Sequence, residues 1–266
     1  LNELMQSPAL RQNQSALLVA RAKDGKELAA INPQLKLTPA SVTKLITASS
    51  ALSILGPNYR FETNFYADNP PQNGNIQNLY VQGNGDPFLV SEQLWRMIRS
   101  ITHQGVNAIK GDIVIDNSFF ASTNYPGRLN KARQAYAAKT SAVAVNFNSI
   151  TFVVKPGKRN KPAKIIVEPP NEYIEVINKT RTGRKYSLKI KSVLQNGKET
   201  FTITGKIPTY LKKKTIYRNV QNPASYAGAV IKTLLTQNGI SIAGEIREGP
   251  VPARAFLLSQ DPSKPL

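Results

Sequence analysis

The sequence predicts an α+β fold on two observations. Two short strand patterns joined by a turn, residues 15–22 and 26–31, antiparallel to each other, precede an apolar helix. A long stretch, residues 146–215, is broken into short β segments by Pro and Gly. At 266 residues the chain exceeds the size at which one core stops growing, so two or three domains are expected.

In chain order, residues 1–10 are expected to form a helix, and Asp24-Gly25 the turn between the first two strands. Pro39 fits a helix entrance, and Leu45, Ile46, Ala48, Ala51, Leu52 and Leu55 carry an apolar face to Gly56-Pro57. Strands follow at 61–67 and 76–82 around an Asn/Pro/Gly cluster at 68–75. Residues 91–102 read as a helix capped by Ser91, with Leu94, Trp95 and Ile98 as core, and 111–116 as a buried strand. The β-rich stretch supplies strands at 149–154, 163–167, 173–178, 188–191 and 200–205. Asn222-Pro223 opens a helix running to about Gln237 and ended by Asn238-Gly239, before a strand at 241–247.

Composition removes several chemistries. There is no Cys, so neither a disulfide framework nor a thiolate metal site exists. His103 is the only histidine, which excludes a multi-histidine zinc site. Its setting, Ile101-Thr102-His103-Gln104-Gly105, reads as a helix C-terminus with a structural role and weakens a Ser-His-Asp alternative. No metal or cofactor is expected. No stretch approaches the roughly 20 apolar residues that span a bilayer, and Leu1-Asn2-Glu3-Leu4-Met5 lacks the regions of a signal peptide.

The formal charge is +19, and residues 155–218 hold 17 Lys/Arg against four Glu, a net +13. This segment predicts a positive surface. It suits a contact for an anionic wall polymer, lipid headgroups or nucleic acid, or simply solvated strand faces. With no nucleic-acid motif beside it, the last reading is preferred and no nucleic-acid partner is expected.

The densest chemical signal is Pro39-Ala40-Ser41-Val42-Thr43-Lys44-Leu45-Ile46. A serine hydroxyl is too weak an acid to attack a carbonyl unaided, so it needs a base in hydrogen-bond reach and donors for the oxyanion. Residues three apart share a helix face, which sets the Lys44 amine beside Ser41, and the helix N-terminus adds positive partial charge. With 18 Ser and 22 Lys, roughly 1.5 Ser-x-x-Lys matches arise by chance, so the spacing alone decides nothing. From the residues, two readings stay open: an activated nucleophile, or a capping serine with a solvated lysine.

Leu37-Thr38-Pro39-Ala40-Ser41-Val42-Thr43-Lys44-Leu45 resembles the first active-site motif of the penicillin-recognising serine enzymes. Tyr80-Val81-Gln82-Gly83-Asn84-Gly85-Asp86-Pro87, Gly111-Asp112-Ile113-Val114-Ile115-Asp116-Asn117-Ser118-Phe119-Phe120 and Asn222-Pro223-Ala224-Ser225-Tyr226-Ala227-Gly228-Ala229 extend the likeness. Together they resemble class C low-molecular-weight penicillin-binding proteins, D-alanyl-D-alanine carboxypeptidases and endopeptidases of the penicillin-binding protein 4 type. The resemblance implies an exported, periplasmic hydrolase acting on peptidoglycan peptides and acylated by β-lactams, with Ser41 as nucleophile and Lys44 as base.

It further implies a serine β-lactamase/DD-peptidase-like catalytic domain, present in part at 1–62 and 247–266, with nested β-rich insertions. Residues 63–145 and 216–246 would form a middle domain, and 146–215 an innermost basic domain. Asp116 would meet the ammonium end of the substrate's side chain, against the plainer reading of an Asx turn before Asn117-Ser118. The family's Ser-x-Asn and Lys-Thr-Gly motifs are expected after the segment 257–266, so the site is expected to be incomplete and the sequence a fragment. Ser122-Thr123-Asn124 and Arg181-Thr182-Gly183 mimic those motifs, but the first sits in a loop setting and the second in a basic turn. Two alternatives follow: a compact β-lactamase-like enzyme using those two tripeptides, or a non-catalytic wall-binding module.

Overall fold

The computed structural model describes residues 14–120 and 133–266, so the expected helix at 1–10 and Ser122-Thr123-Asn124 lie outside the described residues. Contacts divide the chain into two units, residues 1–59 with Leu266, and residues 60–265.

In the first unit, β1 (Leu17–Ala20) and β2 (Glu27–Ile31) form an antiparallel hairpin. Its turn matches the expectation: Gly25 takes φ +73°, and the Asp24 carboxylate accepts the Lys26 N–H. A 3-10 turn, Ala40–Val42, leads into helix α1 (Thr43–Leu55), which ends at Gly56 with φ +82°. The apolar residues of α1 fall where expected, yet none is buried: Leu45 is 70 % exposed and Ile54 80 %. Nothing among the described residues supplies the core that such a helix calls for.

The second unit is built on a five-stranded mixed sheet in the order β15-β7-β5-β3-β16. Its members are β3 (Glu62–Ala67), β5 (Leu79–Gly83), β7 (Ile113–Asp116), β15 (Ile246–Glu248) and β16 (Phe256–Pro262). The inner strands are apolar and buried, Phe65, Val81, Val114 and Ile115 fully so. Helix α2 (Ser91–His103) packs on β16, and helix α3 (Pro223–Gln237) on β7, β15 and α2. A small parallel sheet, β14-β6-β4, flanks them: β4 (Asn75–Ile76), β6 (Ala108–Ile109) and β14 (Ser241–Ile242).

The basic stretch forms two three-stranded sheets. One holds β10 (Ile174–Gly183), β12 (Lys198–Pro208) and β11 (Lys189–Gln195); the other holds β13 (Lys214–Asn219), β8 (Ser149–Lys155) and β9 (Lys164–Glu168). Phe152 of β8 meets Phe201 of β12 with ring centroids 4.8 Å apart, so the core runs between the sheets and on to α3.

Strand β16 pairs antiparallel with β3, with Pro262 opposite Glu62, and Ser263 Oγ accepts the Phe61 N–H. Three expectations are corrected. Helix α2 takes Val90, not Ser91, as its N-cap residue: the Gln93 side chain accepts the Val90 N–H, and the Ser91 hydroxyl accepts from Asn146 instead. Trp95 is not core but 48 % exposed, under the Arg99 guanidinium. Arg181-Thr182-Gly183 is no turn, since it ends β10.

Glu199 of β12, fully buried, fixes the entrance to α3. Its carboxylate accepts the Gln221 N–H at 2.8 Å and the Gln221 amide at 3.2 Å, and it receives the Tyr173 hydroxyl at 3.5 Å. That hydroxyl accepts the Asn222 N–H, and Asn222 caps α3 through the Ser225 N–H. Burial first, and then the Glu199 charge, drive the Tyr173 hydroxyl well above its usual range. Replacing Glu199 by Ala orphans these donors, and should cost about 1–3 kcal/mol. Thermal unfolding should show a lowered midpoint for Glu199→Ala and a smaller drop for Glu199→Gln, whereas an unchanged midpoint for Glu199→Ala would refute this role.

Candidate active site

Ser41 sits in the 3-10 turn, one residue after Ala40, whose φ of +45° is uncommon for a residue with a side chain. That backbone lies directly before the candidate nucleophile, where local strain often accompanies function. The Val42 N–H bonds to the Pro39 carbonyl, and the Thr43 N–H to the carbonyls of Ala40 and Ser41, so the turn feeds directly into α1. Lys44 in the first turn of α1 then reaches back to Ser41, with Nζ 3.2 Å from Oγ. The spacing thus brings the two groups together as anticipated. The amine is therefore within hydrogen-bond reach of the Ser41 hydroxyl, the separation that proton transfer between two such groups requires.

Asp116 lies in the second unit, at the end of β7, and its residue is 2 % exposed. One carboxylate oxygen accepts the Ser118 N–H at 2.9 Å, the Asx-turn bond; the other accepts the Gln82 amide at 3.1 Å and the Val251 N–H at 3.0 Å. Burial alone pushes this carboxyl up, but the donors from Ser118, Val251 and Gln82 outweigh it and hold it below 3.8. In the sequence Gln82 stands out only as part of the Tyr80–Pro87 motif. Its contact follows from the pairing of parallel β5 and β7, which places Gln82 directly beside Asp116 and which no local sequence signal announces. Next to it, Gly83 has no room for a side chain, because a Cβ would strike the Ala142 carbonyl oxygen.

Thr182, which a compact β-lactamase-like enzyme would need in its slot, is 1 % exposed, and its hydroxyl accepts the Gly157 N–H at 2.8 Å. His103 is the last residue of α2, with its ring 3.3 Å from the Arg99 guanidinium. Among the described residues no cluster of His, Cys, Asp and Glu could hold a metal ion.

An α+β chain carrying a Ser-x-x-Lys pair on a helix entrance is compatible with the serine DD-peptidase class, and comparison with known proteins gives the family. The chain belongs to the D-Ala-D-Ala carboxypeptidase 3 (S13) family, whose pattern matches residues 1–266. It is 31 % identical to a D-alanyl-D-alanine carboxypeptidase of Actinomadura sp. (strain R39), over 95 % of this chain and 49 % of that protein. It is 27 % identical to the D-alanyl-D-alanine carboxypeptidase DacB of Haemophilus influenzae, over 85 % of this chain and 48 % of that protein. The crystal structure of penicillin binding protein 4 from H. influenzae superposes with a TM-score of 0.78 at 26 % identity, covering 99 % of this chain and 59 % of that one. The α+β expectation holds. The chain spans about half the length of the curated relatives it matches.

The Asp116 carboxyl yields a signed prediction. Its folded pKa lies below the unfolded 3.8, so its stabilisation is complete above about pH 5 and is lost as pH falls through 3.8 toward the folded value. Asp68 and Asp112, also held low, act in the same sense; Asp261, raised by burial, acts in the opposite one. Denaturant unfolding of wild type and Asp116→Asn should show a wild-type advantage that shrinks below about pH 4. An advantage constant from pH 7 to pH 3 would contradict it.

Proposed function

We propose that this chain carries the nucleophile of a serine hydrolase that cleaves D-Ala-D-Ala termini or cross-links of peptidoglycan peptides through an acyl-enzyme. The observation that carries the reading is the 3.2 Å contact of Lys44 Nζ with Ser41 Oγ, on a chain of the S13 family. Ser41 Oγ attacks the penultimate D-Ala carbonyl carbon while Lys44 takes its proton, and the Ser41 N–H stabilises the oxyanion. Collapse expels the terminal D-Ala, protonated as it leaves, and water then releases the acyl group. β-Lactams enter the same path and leave it slowly.

A second serine, an Asn and a Lys-Thr-Gly strand complete such a site in this reading, on further chain of the same protein. Two findings support that: the uncovered apolar residues of α1, and a span of about half the relatives' length. The peptidoglycan substrate of this reading calls for an extracytoplasmic, periplasmic setting, and no described helix is long and apolar enough to cross a membrane. The five-stranded sheet and the two basic sheets fit the middle and innermost inserted domains, and the outward lysines of the latter suit an anionic wall polymer or membrane surface. For Asp116 the geometry favours positioning over substrate contact: its bonds to Ser118, Gln82 and Val251 order the end of β7.

Release of D-Ala from a peptide ending in D-Ala-D-Ala tests the reading. Ser41→Ala should abolish release, and Lys44→Arg, which keeps charge but cannot deprotonate, should lower kcat by about 10²–10⁴. Undiminished release by Ser41→Ala would end the proposal.

A further inference from the structure

The loop before β8 is the most strained segment described. Asn146, Phe147 and Asn148 take φ of +49°, +60° and +49° in succession, and a left-handed bulky aromatic is a genuine outlier. The surroundings enforce it. The Asn146 N–H bonds to the Leu89 carbonyl, the Asn146 and Ser91 groups bond reciprocally at 2.8 and 3.1 Å, and the Asn148 amide bonds to the Lys139 carbonyl. The result is that Phe147 stands 57 % exposed, braced edge-on by Phe88 at 5.9 Å.

Phe147 forms one wall of an open cleft of about 640 Å³ whose floor is a cross-strand row. Antiparallel pairing sets Thr151 directly between Tyr217 on β13 and Glu168 on β9, a row about 10 Å wide from two interstrand spacings. Tyr217 is 57 % exposed, and Ser91, Glu92, Asn146 and Ser149 add to the polar lining. Among the described residues neither Glu168 nor Glu92 makes an ion pair, and no Lys or Arg lines the cleft, although the chain carries 35 of them.

We propose that this cleft is a carbohydrate subsite that takes the glycan of the polymer whose peptides the Ser41 site cleaves. Flat aromatic faces receive the apolar C–H faces of pyranose rings, and unpaired carboxylates accept hydrogen bonds from neighbouring hydroxyls. The two carboxylates in the lining, Glu92 and Glu168, disfavour an anionic ligand. A row of aromatic, hydroxyl and carboxylate groups suits a neutral polyol that needs stacking and acceptors together. The proposal rests on the peptidoglycan reading for the identity of the glycan, but its test is independent of catalysis.

The probe is the neutral β-linked N-acetylglucosamine tetramer, titrated by calorimetry into the protein carrying Ser41→Ala. Saturable binding is expected. Phe147→Gly, which keeps the positive φ without strain, and Tyr217→Ala should each weaken it about tenfold while leaving penicillin acylation of the wild-type serine unchanged. No binding of the tetramer, binding undiminished in both variants, or a cleft that takes tetramethylammonium and not the tetramer would each overturn the proposal. If D-Ala release fails but the tetramer binds with this variant dependence, the catalytic reading falls and the subsite stands.

Discussion

The pairing of β16 with β3 is the constraint on which the larger unit depends. Strands almost 200 residues apart in sequence lie side by side from Glu62 against Pro262 to Ala67 against Phe256. Arg60 donates to the Ser263 carbonyl at 2.6 Å and the Ser263 hydroxyl accepts the Phe61 N–H at 2.9 Å, so entry and exit of the unit are tied together. Everything from Asp68 to Ala255 is therefore an excursion from one closed sheet edge.

Chemistry and stability are distributed unequally over the chain. The larger unit has a continuous core, from Phe65 in the five-stranded sheet through Tyr226 on α3 to Phe152 and Phe201 between the basic sheets. The Ser41 unit has the proposed nucleophile and its lysine but hardly any buried apolar surface, with Leu45, Ile46 and Ile54 all more than two-thirds exposed. Hydrophobic cover is what holds such a helix in place, since a 13-residue helix is marginal on its own. The Ser41–Lys44 contact itself is local, set by helical spacing, and needs no distant partner to form.

Local signals were therefore the ones legible in the sequence. The Asp24-Gly25 hairpin, the helix at 91–103 and the Ser-x-x-Lys pair each depend on residues a few positions apart, and each lies where the pattern put it. Non-local pairing was not legible. The segment 76–82 divides between two sheets, as does 241–247, because the Asn78 side chain accepts the Asp112 N–H and the Gly244 N–H turns to the Gly111 carbonyl. The hairpin of β11 and β12 extends further than expected, to Gln195 and from Lys198. The left-handed pair Asn196-Gly197, φ +51° and +74°, makes a two-residue turn there that the sequence does announce. Strand β13 was missed because its lysine-rich start reads as a solvated tract, although Lys214 lies over the Tyr186 ring. Trp95 misled because an aromatic at a helical spacing reads as core, whereas it is half exposed with the Arg99 guanidinium over its ring.

The most direct measurement is the intact mass of the protein before and after incubation with a penicillin, with peptide mapping of the adduct. The account predicts one covalent adduct, on the peptide containing Ser41, lost in Ser41→Ala and formed much more slowly in Lys44→Arg. An adduct on another residue, or full acylation of Ser41→Ala, would contradict it.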